Sequence, residues 1–277
     1  MKSRTPEKQA PSSRWGFLLY NARMGTKWGY DDNDNPLRGK ELLDLARQER
    51  GDTVLLSFSG KDSLACWLYL LENDFRVIPY HLDQIPGLSW VNQNIAYYEQ
   101  YFGQHIIRLP HPHFWKYLNE FHYQPPDRVA KIRTLDFPDY DFYEIEDLIC
   151  HWQGIAQPWP FAAIGMRSAD SLARMRMIQQ MGALSTGQRR FFYPIWDWKL
   201  DDLASYLNRF DVKLPIDYHY WGNTTTTWIY RYMKPLRDNF PEDWERFKQW
   251  FPLLELELFR YEVVNATAQD RIHQATN

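Results

Sequence analysis

The sequence predicts an α/β fold: a doubly wound, mostly parallel sheet with a helical C-terminal region. Three observations predict it. Short apolar runs alternate with helix-length segments between residues 53 and 109, a spacing that calls for parallel pairing through right-handed crossovers. Further apolar runs recur near residues 161 and 191, which extends the sheet beyond three strands. Past Pro241 the pattern turns helical, with Trp244, Phe247 and Phe251 on one side. The 277 residues suffice for one large α/β domain with an appendage. The boundaries read as an N-terminal extension over 1–38, partly disordered, an α/β domain over 39–222 and a helical appendage over 223–277.

The elements follow in order. Residues 1–13 are polar and basic with two prolines, a composition expected to be disordered. Residues 14–38 lack a period, and Asp31-Asp32-Asn33-Asp34-Asn35-Pro36 reads as a loop without the glycine and terminal glutamate of an EF-hand. Residues 39–50 form a helix with Leu42, Leu43, Leu45 and Ala46 on its apolar side, stopped by Gly51-Asp52. Thr53 to Phe58 is a buried strand, Ser59 to Ser63 a tight turn, and 64–73 an apolar helix. A strand from Arg76 to His81, a helix over 89–102 and a strand from Gln104 to Leu109 complete the first run. Residues 110–150, rich in Pro, His and Asp, read as an irregular insertion or lid. Phe161 to Gly165 is a fourth strand, Ser168 to Met181 a helix carrying several arginines, and Phe191 to Ile195 a short extended segment. Asp197 is placed to cap a helix from Trp198 to about Phe210. Pro252 kinks or divides the helix that Pro241 begins. The one low-complexity tract is Thr224 to Thr227.

Composition excludes several classes. A formal net charge of −3 gives no global field for non-specific nucleic-acid binding. Aromatic residues make 17% of the chain; they fill a core first, and stacking on bases is the second use. Two cysteines, Cys66 and Cys150, exclude a disulfide framework and cannot supply the four thiolates of an iron–sulfur cluster, so none is expected. No apolar run reaches a membrane span, and Trp15 to Tyr20 is too short and aromatic for a secretory segment. The expected location is the cytoplasm, of a bacterium or a phage-infected host, with no membrane partner.

Chemistry concentrates at Ser57-Phe58-Ser59-Gly60-Lys61-Asp62-Ser63, between an apolar strand and a helix. Gly60 lets the backbone approach an anion, the first amides of the following helix point toward the loop, and Lys61 adds positive charge. Ser59 and Ser63 add hydroxyls, while Asp62 suits a Mg²⁺ held through water. The spacing of a Walker A loop is absent.

This loop resembles the Ser-Gly-Gly-x-Asp-Ser loop of the N-type ATP pyrophosphatases, the PP-loop enzymes, one residue shorter. Within them it resembles the phosphoadenosine phosphosulfate (PAPS) reductase family. Ile164-Gly165-Met166-Arg167-Ser168-Ala169-Asp170-Ser171-Leu172-Ala173-Arg174 is similar to that family's Gly-hydrophobic-Arg…Glu/Asp-Ser…Arg segment. Tyr193-Pro194-Ile195-Trp196-Asp197-Trp198 is similar to its Pro-Ile…Trp segment, and Leu214-Pro215-Ile216-Asp217-Tyr218 with Gly222 to its Leu-Pro…Tyr…Gly stretch. The resemblance spans roughly residues 52–222 in the family's order and is strongest to the PAPS-reductase-like proteins of bacteriophages and prophages.

The resemblance implies the adenine nucleotide alpha hydrolase-like fold and an adenine nucleotide, ATP or PAPS, with Mg²⁺. In the ATP-cleaving branch an acceptor oxygen attacks the α-phosphorus and pyrophosphate leaves. Lys61, Asp62 and Arg167 are then the catalytic candidates. Ser57, Ser59, Gly60, Lys61, Asp62, Ser63, Gly165, Arg167, Ser171 and Arg174 are the binding candidates. His81 and Asp83, at the carboxyl end of the second strand, are candidates for adenine or ribose. From the residues alone, Arg167 and Arg174 share a helix face as anion ligands or Asp170–Arg174 is a solvated pair; the resemblance favours Arg167 as ligand. His111-Pro112-His113 lacks the further ligands of a metal site. The reductase branch uses a C-terminal cysteine motif, and no cysteine follows Cys150. The leading expectation is an ATP α-hydrolase adenylating an unidentified acceptor, with nucleic acid a candidate. A PAPS-binding reductase or transferase and a non-catalytic nucleotide-binding partner stay open, as does a homodimer.

Overall fold

The computed structural model describes residues 29–186, 190–224 and 228–264. The chain forms two compact units that interleave along the sequence. The first holds the described residues up to Ser57, then Asp62–Ile78 and Glu146–Phe210; the second holds Phe58–Lys61, Pro79–Ile145 and the described residues from Asp211 on.

The first unit opens with helix α1 (Gly39–Arg50), which buries Leu42, Leu43, Leu45 and Ala46 as the pattern predicts. Strand β1 (Thr53–Ser57) leads through the turn into helix α2 (Lys61–Glu72) and then β2 (Arg76–Asp83), which belongs to the second unit from Pro79 on. In the second unit come α3 (Ser89–Phe102) and β3 (Ile107–Pro110). Back in the first unit lie β4 (Phe161–Ile164), β5 (Leu184–Thr186) and β6 (Arg190–Phe192). The strands form one six-stranded sheet in the order β3-β2-β1-β4-β6-β5. β1 pairs β4 in parallel, with Val54 opposite Phe161 and Ser57 opposite Ile164. β2 pairs β3 and β4 pairs β6 in parallel; β5 pairs β6 antiparallel.

From β1 the chain steps to one edge through β2 and β3, then returns to build the other side through β4 and β6. Right-handed crossovers in opposite directions put helices on both faces, so the fold is the doubly wound α/β class the sequence predicts. The reversal makes the carboxyl ends of β1 and β4 the switch point, where open α/β sheets take ligands. Fully buried Leu55, Leu56, Trp67, Phe161 and Phe192 centre the core of the first unit, and Tyr80, Tyr98, Phe114 and Phe251 that of the second.

Several expectations are corrected. Residues 110–150 are not irregular: they carry α4 (Pro112–Asn119), α5 (Pro126–Ile132) and α6 (Phe142–Trp152). Pro112, Pro125 and Pro126 sit at helix starts, where a missing N–H is harmless. Asp141 starts α6, its Oδ1 accepting from the amides of Tyr143 (2.8 Å) and Glu144 (3.0 Å). The third strand begins at Ile107 rather than Gln104. The helix expected from Ser168 is a 3-10 turn (Ser168–Asp170), an extended Ser171, and then α7 (Leu172–Met181). β5 was not foreseen. Asp197 caps nothing: α8 (Leu200–Leu207) starts later, with Asp202 Oδ2 accepting from the Lys199 amide at 2.8 Å.

The C-terminal part is helical as expected. It comprises α9 (Asp217–Trp221), α10 (Tyr230–Asn239) and α11 (Pro241–Trp250), with Pro252 dividing α11 from a further helix over 255–264. Asp31 to Pro36 is the loop expected, with Asp31 Oδ1 accepting from the amides of Asn33 and Asn35. The expected disorder over 1–13, the Trp15–Tyr20 segment and most of the Thr224–Thr227 tract lie outside the described residues. Among the described residues no helix is long and apolar enough to cross a membrane.

Candidate functional site

The turn after β1 divides between the units. In the first, Ser57 ends β1 opposite Ile164 at the end of β4, and α2 continues from Asp62; its opening residue, Lys61, belongs to the second unit and comes three residues before the pattern's expected start at 64. Lys61, Asp62 and Ser63 therefore form the first turn of a helix, where amides have no acceptor within the helix and the dipole favours an anion. Gly165, the residue after β4, touches this first turn. A Cβ there would lie 2.5 Å from the carbonyl carbon of Asp62 and from the amide of Ser63, so only glycine fits. Ser63 is buried.

Arg167 follows two residues later, with its side chain 5% exposed. Its Nε donates to Asp62 Oδ1 at 2.5 Å and an Nη to Asp170 Oδ1 at 2.6 Å. Arg174 pairs with the other oxygen of Asp170. Two carboxylates and two guanidiniums thus form one chain, Asp62–Arg167–Asp170–Arg174. The two arginines do not share a helix face: Ser171 breaks the helix between them, and its Oγ accepts from the Arg174 amide at 3.2 Å. They converge on Asp170 from either side of that break. Trp196, from the Pro-Ile…Trp segment, accepts from the Ser168 amide at 2.7 Å through its carbonyl, so two of the sequence motifs meet here.

In the second unit the turn runs from exposed Ser59 through buried Gly60 to Lys61. The Lys61 amide donates to the Tyr218 hydroxyl at 3.3 Å, and that hydroxyl hydrogen-bonds Thr224 Oγ1 at 3.2 Å. The Lys61 ammonium stands 5.4 Å from the centre of the Tyr218 ring. A Cβ on Gly60 would overlap Thr224 Oγ1. Sequence reasoning quoted Tyr218 within a motif without assigning it a contact, and read Thr224 only as the start of a low-complexity tract.

His81 Nδ1 lies 2.8 Å from the Phe58 carbonyl, which can only accept, so Nδ1 carries the proton. Burial lowers the His81 pKa, against the pull of Asp83. Asp83 is buried and takes a bidentate pair from Arg108, at 2.7 and 3.0 Å. Sequence reasoning also missed Arg108. His81 therefore braces the backbone at the start of the turn, and Asp83 neutralises Arg108. His111 Nδ1 accepts from the His113 amide, and burial, then His113 and His81, push the His111 pKa down to about 4. Among the described residues no group of three His, Cys, Asp or Glu is placed to hold a metal ion. Both cysteines are buried; burial pushes the Cys66 thiol up and the Cys150 thiol up to about 11, unsuited to nucleophilic work.

No protein-family model matches the chain, and no curated protein matches it in sequence. Among solved structures it is similar to phosphoadenylyl-sulfate (PAPS) reductase from Candida auris in a phosphate complex. That likeness has 14% identity and a TM-score of 0.42, covering 68% of this chain and 91% of that one.

Proposed function

We propose that the turn between β1 and α2 binds the phosphates of an adenine nucleotide, and that the chain cleaves ATP between its α and β phosphates, passing the adenylyl group to an acceptor. Nucleic acid is the candidate acceptor. The observation that best supports this reading is the contact of Gly165 with the backbone of Asp62 and Ser63. It fixes the first turn of a twelve-residue helix at the switch point of the sheet, the arrangement that suits a phosphate.

In this reading the acceptor oxygen forms a bond to the α-phosphorus as the bond to pyrophosphate breaks. The catalytic demand is charge stabilisation on the leaving group. Lys61 and the hydroxyls of Ser59 and Ser63 meet it, with the amides of the turn. Arg167 holds Asp62 at the helix start rather than meeting the phosphate first. Mg²⁺ binds through one or two carboxylates plus substrate phosphates and waters, so the lone carboxylate of Asp62 fits an ion that arrives with the nucleotide. Bound there, the ion neutralises charge on the pyrophosphate.

Calorimetry with ATP and with PAPS, and pyrophosphate release from ATP with and without Mg²⁺, test the reading. ATP binding that weakens about tenfold or more in Lys61→Ala, with Mg²⁺-dependent pyrophosphate release, supports it. ATP affinity unchanged in both Lys61→Ala and Arg167→Ala sinks the assignment of the site. Binding of PAPS in preference to ATP replaces the adenylation chemistry with sulfonucleotide binding.

A further inference from the structure

The space beside Gly60 that a Cβ would take is filled, within the second unit, by the hydroxyl of Thr224. We infer that Thr224 is a stopper on the phosphate-binding turn, which nucleotide must displace; this rests on the nucleotide reading of that turn. Three observations carry it.

First, Thr224 stands where a Cβ of residue 60 would be, and Gly60 has no side chain with which to exclude it. Second, the Lys61 amide is engaged by the Tyr218 hydroxyl at 3.3 Å, beyond the usual range for a backbone donor. A phosphate oxygen is a charged acceptor and makes the shorter, stronger bond, so it takes over the amide proton while Tyr218 keeps its place. Third, the two hydroxyls are held differently. Tyr218 lies on α9, which Asn94 clamps from both sides: its Nδ2 donates to Asp217 Oδ1 at 3.0 Å, and its Oδ1 accepts from the Ile216 amide at 2.9 Å. Trp221 of the same helix is buried, and its indole donates to the Tyr232 carbonyl. Thr224 lies beyond Gly222, whose φ of 71° ends that helix, and its hydroxyl meets Tyr218 at 3.2 Å. Asn223, directly after Gly222, is tied by its Nδ2, which donates to the Tyr232 hydroxyl at 3.1 Å, against the several bonds that hold α9; the end past Gly222 is the one that gives way, and Tyr218 stays as a wall of the turn.

A stopper scales apparent nucleotide affinity down to the fraction of molecules in which it is open. Removing its hydroxyl must therefore raise affinity, opposite in sign to the loss of a ligand contact. The test is calorimetry of ATP with the full chain as wild type, Thr224→Ala and Lys61→Ala, alongside hydrogen exchange of the 217–224 backbone with and without ATP. Thermal unfolding confirms that each variant is folded. The expected result is ATP binding about three- to tenfold tighter in Thr224→Ala, with faster exchange at 222–224 when ATP is bound to wild type. Weaker or unchanged binding in Thr224→Ala, while Lys61→Ala still loses ATP, overturns the stopper and leaves the turn as the nucleotide site. ATP binding absent from wild type and Thr224→Ala alike overturns both.

Discussion

Gly60 and Gly165 flank the same turn and lack a side chain for different reasons. The space beside Gly165 is filled by backbone, the peptide between Asp62 and Ser63, while the space beside Gly60 is filled by the tip of a threonine. Backbone at the start of a helix cannot step aside, whereas a side-chain hydroxyl can rotate away. One glycine therefore welds a strand end to a helix start, and the other leaves room for something that can come and go.

The largest expected effect tests the weld. Gly165→Ala puts a methyl 2.5 Å from the Asp62 carbonyl carbon and the Ser63 nitrogen, with no rotamer to relieve it. The expected loss is about 3–4 kcal/mol of unfolding free energy, read from urea denaturation. A loss below about 1 kcal/mol would mean that the helix start shifts freely, and the contrast with Gly60 would vanish.

Arg167→Ala comes next. It leaves Asp62 and Asp170 facing each other without the buried guanidinium that joins them, an expected cost of about 2–3 kcal/mol by the same measurement. Arg167→Lys recovers only part of it, because one ammonium cannot reproduce the planar fork that reaches both carboxylates. Full recovery by lysine would show that charge, not geometry, holds Asp62 in place.

This asymmetry explains what was legible in the sequence. The parts of the weld were readable because each is local: an apolar strand running into a turn, and a glycine directly after another apolar strand with an arginine two residues on. The contact between those parts was not. The alternation of strands and helices, the apolar side of α1 and the division at Pro252 were readable because periodicity and breakers act over a few residues. The other side of the turn was not. Tyr218 reaches Lys61 across 157 residues, and nothing near Lys61 announces it. Arg108 meets Asp83 across 25 residues, so Asp83 read as a ligand when it has an internal cation. The 110–150 stretch misled differently: proline punctuates helices as well as loops, and three helices start where breakers were read. Ser171 fits the spacing of a helix interior, although its hydroxyl accepts from the Arg174 amide and caps a new helix start.

Mild acid should act on the second unit through two of its histidines. His81 and His111, both in the second unit, have pKa values lowered mainly by burial. Below their ordinary value of about 6.5 the unfolded chain takes up protons that the folded chain refuses. Stability is therefore complete above that value and falls as pH drops toward the folded value, about 4 for His111. Between pH 7.5 and 5 the expected loss is about 2 kcal/mol, read from urea unfolding at each pH. His81→Asn, which can still donate to the Phe58 carbonyl, combined with His111→Asn should flatten the profile. A profile that keeps its slope in the double variant would place the acid sensitivity elsewhere.

The smallest effect on stability carries the sharpest test of the contrast. Gly60→Ala overlaps the Thr224 hydroxyl and meets the Tyr218 hydroxyl at 3.2 Å and the Thr224 Cβ at 3.4 Å. The threonine rotates aside, and the expected cost is about 1 kcal/mol or less. Binding should respond in the opposite proportion. The new methyl occupies the face from which a phosphate would approach the backbone, so ATP affinity should fall by tenfold or more in a chain that unfolds almost as wild type does. Thr224→Ala empties the same space and should raise affinity, so the two alanines, in contact across one gap, act with opposite signs. If Gly60→Ala instead destabilises as severely as Gly165→Ala, both glycines are welds, and no ligand enters between Gly60 and Thr224.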